Sequence, residues 1–483
     1  MPPASAAPSL LAALLPLGVM LGALLAGALR GALTGDVIVL AMLAAATVAG
    51  AVAVRGGGTW ADIERATAQQ VARVLPALLI LLAIGVLVAT WMLAGTIPLL
   101  VAWGVRLVQP EWLALTAFLA AALMSTCTGT SWGSAGTIGV ALMGTAAALG
   151  VPLPMVAGAV ISGAYFGDKM SPLSDTTIVA ALSAEVDVYA HIRHMVFTAG
   201  PSFVVAAMVY ALLGGGARAG GTGPSASALL GQLGIVFRLH PVALLPPLVV
   251  LVAVWRRVPS VLAIAASSLL AATIAVVWEG HAPSAVMQAA VSGVTPDMLT
   301  VRLDGVPLSA DLARLAVRGG MQAMAPTFVI VFAAFLLTGA MQASGALDVL
   351  LARLLALVRS SFALVAATMA AGLTVIGLTS HASVTMLVVG GLVREAYAER
   401  ALPPQLLSRS LEDSVTITEV LMPWTVSAVF MATTLGVPTH AYAPWAVFCW
   451  MGPIMSLLLA ARRGMRAATV RQASSSTEGD TAA

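Results

Sequence analysis

Between Ser9 and Leu29 the chain carries no charged side chain, and comparable apolar runs recur along most of its length. A run of roughly 20 apolar residues is enough to cross the hydrocarbon of a bilayer as a helix. Only helices and closed barrels satisfy their backbone polar groups in lipid, and continuous rather than alternating apolar sequence selects helices. Composition points the same way. Hydrophobic residues make up 60% of the chain and charged residues 9%, against about a quarter charged in a soluble protein. The expected fold is an all-α polytopic membrane protein of about 12 transmembrane helices, with two inverted repeats and broken helices or re-entrant segments.

The first apolar run is longer than the hydrophobic region of a secretory signal and has no basic segment before it, so it reads as an uncleaved span. Cys127 and Cys449 both lie in apolar sequence and are too few for a disulfide framework. The basic residues mark cytoplasmic loops, not a nucleic-acid surface: Arg55, Arg65 and Arg73 share one segment, and Arg462, Arg463, Arg466 and Arg471 another. The expected partners are therefore the lipid bilayer and small solutes.

The organisation expected along the chain is an N-terminal pair of helices (1–70), a first repeat (71–213), a connecting region (214–320), a second repeat (321–462) and a disordered cytoplasmic tail (463–483). Gly214 to Ser227 is rich in Gly, Ser and Pro and reads as a loop. Trp278 to Gly320 carries Glu279, Asp297, Arg302, Asp304, Asp311, Arg314 and Arg318, too polar for lipid, and reads as surface helices plus a loop. The two halves echo each other. Gly129 to Thr137 (GTSWGSAGT) resembles Gly377 to Thr385 (GLTSHASVT) in character, and each block is followed by an acidic residue, Asp168 or Asp413. Matched polar interruptions in two halves point to a repeat-built transporter with its site at the interface.

The densest chemistry lies in Ile161 to Ala180 (ISGAYFGDKMSPLSDTTIVA), where apolar sequence flanks Asp168, Lys169 and Asp175. A charge at mid-bilayer costs about 2.5–3.5 kcal/mol on insertion scales, so a purely structural helix avoids three of them. Pro172 disfavours helix at Ser171 and predicts a break there. Ser171, Ser174, Thr176 and Thr177 add oxygens suited to a hard cation. Lys169 is the only lysine in the sequence, every other basic side chain being Arg. An ammonium shifts its protonation readily on burial and a guanidinium does not, so Lys169 is expected to pair with Asp168 or Asp175 and to be released or neutralised during transport; the alternative is a triplet of charges at a loop edge just outside the bilayer.

A second cluster runs from Leu407 to Trp424 (LSRSLEDSVTITEVLMPW), with Arg409, Glu412, Asp413 and Glu419 beside Ser414, Thr416 and Thr418. It reads either as the opposing wall of an ion site or as a helix N-terminus whose acids favour the dipole. His381 is a candidate proton relay or a packed histidine. Trp91, Trp132 and Trp424 are candidates to line the pathway or to anchor at the interface.

The runs GTSWGSAGTIGVALMG (129–144) and SGAYFGDKMSPLSDTT (162–177) resemble the NhaC family of Na+/H+ antiporters. WMLAGTIP (91–98), RGGM (318–321), LSRSLEDSVT (407–416) and MPW (422–424) support the resemblance. It implies an ion-transporter fold in a prokaryotic plasma membrane, antiport of sodium against protons, and ion-path roles for Thr130, Ser131, Asp168, Ser171, Asp175, Thr176, Asp413 and Ser414. Asp168, Asp175 and Asp413 are then the carboxylates expected to meet transported Na+, with no resident cofactor. Two departures stand out: Ile178 replaces an Asn, and His381-Ala382-Ser383 replaces an Asp-Gln-Tyr stretch. They leave room for an alternative, Na+- or H+-coupled exchange of an organic acid of the malate or lactate kind or of an amino acid, with Arg409 holding a carboxylate. A membrane enzyme is disfavoured, since neither an H-E-x-x-H metal motif nor a Gly-rich phosphate loop occurs.

Overall fold

The computed structural model describes residues 7–31, 33–214, 226–256, 258–300, 308–356 and 358–462, and within them every regular element is a helix. Eight helices among the described residues are long and apolar enough to cross a membrane, or up to 11 if each bent pair is one span. The expected count of about 12 lies just above that range, and apolar helices shorter than a full span, such as Thr96–Leu107 and Val426–Leu435, are not counted in it.

Helices α1 (Leu10–Leu29) and α2 (Gly35–Arg55) pair at the N-terminal end. α3 (Trp60–Leu93) opens with a capping box in which Thr59 and Asp62 satisfy each other's backbone N–H groups. It bends by 42° next to Pro76, whose ring removes a helical hydrogen bond. Next come α4 (Thr96–Leu107), α5 (Leu113–Thr128), α6 (Ser131–Leu149), α7 (Leu153–Met170), α8 (Asp175–Ser183) and α9 (Val188–Gly214). The middle of the chain forms α10 (Ala226–Val236), α11 (Leu245–Trp255), α12 (Ser260–Val277), α13 (Pro283–Ser292), α14 (Pro296–Thr300) and α15 (Ala310–Ala316). The second half contributes α16 (Ala325–Ala343), α17 (Ala346–Ala356), α18 (Ser361–Thr379), α19 (Ala382–Glu399), α20 (Pro404–Ser414), α21 (Thr416–Glu419) and α22 (Val426–Leu435). A bent pair, Thr439–Trp445 and Val447–Arg462, ends the described chain. The expected tail and most of the Gly-rich loop lie outside the described residues.

α5 and α7 form the most extensive helix pair, and the reason is legible in the sequence as Gly163-x-x-x-Gly167. A Cβ at Gly163 would lie 2.1 Å from the Phe118 carbonyl oxygen, and one at Gly167 2.4 Å from that of Ala122. Only glycine admits so close an approach, the usual device for helix contact in lipid. The Ser125 hydroxyl donates to the Ala164 carbonyl at 2.6 Å across the same seam. This seam fixes the C-terminal end of α7, and with it Asp168 and Lys169.

The segment from Trp278 to Gly320 departs from its expected surface role. Its helices are short, but Met298, Leu299, Leu312 and Leu315 are buried in the main apolar core. Glu279 is buried and accepts the Arg238 N–H at 3.1 Å. The Gly320 N–H donates to the Gly85 carbonyl at 2.7 Å, tying the segment to α3. Glu279 is thus a buried loop anchor, which composition cannot distinguish from a surface charge. Arg302 and Asp304 lie outside the described residues.

The echo between halves reappears in the backbone. Positive φ occurs at Gly95, Gly129 and Gly150 and again at Gly345, Ser380 and Ala401. Each position ends one helix and precedes the next, so the same helix–break–helix rhythm is written twice. The register differs from the sequence echo by three residues: Gly129 matches Ser380, not Gly377. Glycine composition misled the alignment because in the second half a serine occupies the left-handed position.

Candidate functional site

α7 ends at Met170, Ser171 is extended (ψ 129°), and α8 restarts at Asp175. The break falls where Pro172 predicts it. Ser174 caps α8 through the Thr177 N–H, and the Thr177 hydroxyl donates to the Lys169 carbonyl at 3.0 Å, closing the end of α7. A second break separates α5 from α6. Gly129 adopts φ +68°, Thr130 is extended, and α6 begins at Ser131. These two breaks meet. The Ser131 N–H donates to Asp168 Oδ2 at 3.1 Å, so the positive end of α6 faces a buried carboxylate. Asp168 Oδ1 has no hydrogen-bond partner among the described residues.

Both features open on a cavity of about 1040 Å³. Its walls come from both halves of the chain: Arg73 and Ile80 of α3, Gly129 to Trp132, Asp168, Pro172, Asp175 and Thr176 from the first, and Ser380 to Ser383, Glu419, Val426 and Ser427 from the second. Asp168 is buried at the cavity wall, whereas Asp175 is exposed. Glu419 is buried, accepting from the Ser427 hydroxyl at 2.6 Å and the Tyr165 hydroxyl at 3.5 Å. Among the described residues, three carboxylates thus line one space, against one guanidinium, Arg73, and the His381 imidazole.

Of the other candidates, Thr130, Ser131, Thr176 and His381 also line the cavity. Ser171, Ser174, Thr177, Ser414 and Thr416 are buried and do not line it. The Ser171 hydroxyl accepts from the Leu173 N–H at 3.3 Å and the Ser414 hydroxyl donates to the Ser410 carbonyl at 2.7 Å. These two bonds lie at helix ends.

Lys169 differs from expectation. Asp168 and Lys169 are consecutive on a helix and point about 100° apart, so Asp168 faces the cavity while Lys169 turns away from it. Its ammonium forms a fully buried ion pair with Asp413, not with Asp168 or Asp175. Thr198 donates to the same Asp413 oxygen at 3.4 Å, and Arg409 Nε lies 3.9 Å from the other. Glu412 beside it is fully buried and makes no hydrogen bond among the described residues. The acids sit at the C-terminal end of α20 rather than at a helix N-terminus, where the dipole disfavours negative charge. Lys169 and Arg409 offset that penalty.

Sequence reasoning passed over several residues that the fold brings here. Tyr165 and Ser427 hold Glu419, Thr198 holds Asp413, and Arg73, counted as a loop residue, lines the cavity. His191 of α9 is fully buried, with neither ring nitrogen hydrogen-bonded among the described residues. The pair of histidines in His191-Ile192-Arg193-His194 ahead of an apolar run was its available signal. Trp91 is buried in the core, donating to Ser267, and Trp132 lines the cavity stacked on Phe430.

A sequence profile described as the Na+/H+ antiporter family matches residues 3–181 and 163–462. This chain belongs to the Na+/H+ antiporter family. It is 40% identical over 422 residues to an uncharacterized Na+/H+ antiporter of Haemophilus influenzae, covering 87% of this chain and 89% of the relative. It is 35% identical over 400 residues to the Na+/H+ antiporter NhaC of Alkalihalophilus pseudofirmus, covering 83% and 84%. It is also 30% identical over 419 residues to a malate-2H+/Na+-lactate antiporter of Bacillus subtilis, covering 86% of each chain. This family member is a multi-pass membrane protein, a transporter and not an enzyme.

Proposed function

We propose that this antiporter exchanges Na+ for H+ by alternating access, with both ions competing for the Asp168 and Glu419 carboxylates and Asp175 at the entrance. The observation that carries the reading is Asp168 itself. One of its oxygens is held by the Ser131 amide, and the other has no hydrogen-bond partner among the described residues although the side chain is buried. A buried carboxylate left half-satisfied is costly unless something else completes it. The Ser131 and Ser174 hydroxyls flank the carboxyl, offering the hard oxygens that suit Na+. A proton satisfies the same oxygen, so one site serves two exclusive occupants.

In this reading the Lys169–Asp413 pair stands behind the site as a neutral, desolvated anchor. Such pairs contribute little net stability, yet breaking one is expensive. Ser171, Thr177, Ser414 and Thr416 hold the broken helix ends that frame the carboxylates, and Glu412 and Arg409 tune the charge around Asp413.

The test is exchange in proteoliposomes carrying a trapped pH dye. Competition at one site requires the apparent KM for Na+ to fall as pH rises, by about tenfold per unit for a single competing proton. A KM that ignores pH would defeat the shared site. A second reading has its own support: at about 1040 Å³ the cavity is large for a bare ion, matching pockets that hold organic ligands of about 300–1000 Å³. Arg73 on its wall is the group to meet a carboxylate there, since Arg409 is engaged with Asp413. A pH response to malate or lactate, absent with Na+ alone, would decide for organic-acid exchange.

A further inference from the structure

We propose that the stacked rings of Trp132 and Phe430 form the barrier between two opposed vestibules on a single ion pathway. A second cavity of about 440 Å³ is lined by Ile84 and Val88 of α3, Ser292, Arg318, and Thr433 and Thr434. Two helices line both cavities. α3 gives Val74 and Ile80 to the first and Ile84 and Val88 to the second, and α22 gives Val426 and Ser427 to the first and Thr433 and Thr434 to the second. The cavities are therefore stacked end to end along the same helices.

At 1.5 Å per helical residue, the step from Ile80 to Ile84 is about 6 Å and that from Ser427 to Thr433 about 9 Å. Against a hydrocarbon layer of about 30 Å, the barrier is only one to two helical turns thick. Its material is apolar. The Trp132 and Phe430 rings lie 4.3 Å apart and 8° from parallel. Trp132 faces the first cavity, and Ile84 faces the second while packing against Gly136. A π-helical turn at Ala135–Gly139 sits at this level, a distortion common at working parts of helices. The stacked ring faces offer an ion held at Asp168 no oxygen with which to replace its water, so passage between them requires them to part.

The inference rests on the ion-exchange reading, but its test does not need Na+. In a Cys127→Ser background, Ser383→Cys in the first cavity and Ser292→Cys in the second are treated with a membrane-impermeant thiol reagent from either side. The expected result is labelling of the two from opposite faces. Phe430→Ala is expected to raise Na+-independent proton leak several-fold in proteoliposomes. Phe430→Leu, which stays apolar but cannot stack, is expected to leak less. Labelling of both cysteines from one face, or a Phe430→Ala protein as tight as the wild type, would overturn the proposal. Loss of Na+ response in the wild type would instead remove the exchange reading and leave these results standing.

Discussion

The break after α5 and the break after α18 have nearly the same backbone and different chemistry. Gly129 and Thr130 adopt φ, ψ of 68°, 26° and −149°, 122°; Ser380 and His381 adopt 52°, 25° and −141°, 108°. Each break exposes the start of a helix to the shared cavity. In the first half a carboxylate, Asp168, completes that helix start. In the second, no carboxylate among the described residues does: the acid at the matching register, Glu419, lines the cavity held by Ser427 and Tyr165, while Asp413 is neutralised by Lys169 away from the cavity. A duplicated scaffold thus supplies two equivalent helix ends, and in the proposed exchange Asp168 handles the ion while Asp413 serves as an anchor.

The sharpest way to break that division is to remove each charge alone. Asp168→Asn keeps an acceptor for the Ser131 N–H but loses the charge. Na+-driven exchange should drop to the level of empty liposomes while the thermal midpoint in detergent hardly moves. Asp413→Asn should do the reverse to stability, because it strands the buried Lys169 ammonium. Removing one member of a buried pair costs about 3–5 kcal/mol, a large fall in thermal midpoint. If Asp413→Asn melted like the wild type and Asp168→Asn unfolded, the two acids would have exchanged roles.

The membrane class, the helical fold, the proline break at Ser171 and the polar clusters were all legible in the sequence, because each follows from local residue chemistry. What the sequence hid is direction. Asp168 and Lys169 are neighbours in the chain, and only helix geometry sends one to the cavity and the other to Asp413. Glu419 and Glu412 looked alike as helix-end acids, yet Glu419 lines the cavity and Glu412 is sealed off from it. Arg73 looked like a loop charge, yet it lies inside α3, and which neighbours a helix face meets depends on tertiary packing.

A smaller test addresses the scaffold of the first break. Gly129→Ala would force a Cβ into a left-handed residue and place it 2.7 Å from the Leu173 Cβ and 2.8 Å from the Leu173 carbonyl carbon. The left-handed backbone alone costs about 1–2 kcal/mol for a non-glycine residue, and overlap with Leu173 adds to it. Leu173 belongs to the link between α7 and α8, so the thermal midpoint and exchange should fall together. Unchanged stability would mean that this link gives way freely.

The smallest effect has the opposite sign. Ser380 already holds the left-handed conformation without being glycine, and its buried hydroxyl has no hydrogen-bond partner among the described residues. Ser380→Gly relieves about 1–2 kcal/mol of backbone strain and removes an unsatisfied hydroxyl. Against this, glycine loses more entropy on folding, about 0.5–1 kcal/mol. The net expectation is a gain of about 1 kcal/mol, a few degrees in thermal midpoint, with exchange retained. A loss of exchange without a loss of stability would show that the Ser380 hydroxyl meets the transported species. The second break would then share in the chemistry that the comparison assigns to the first.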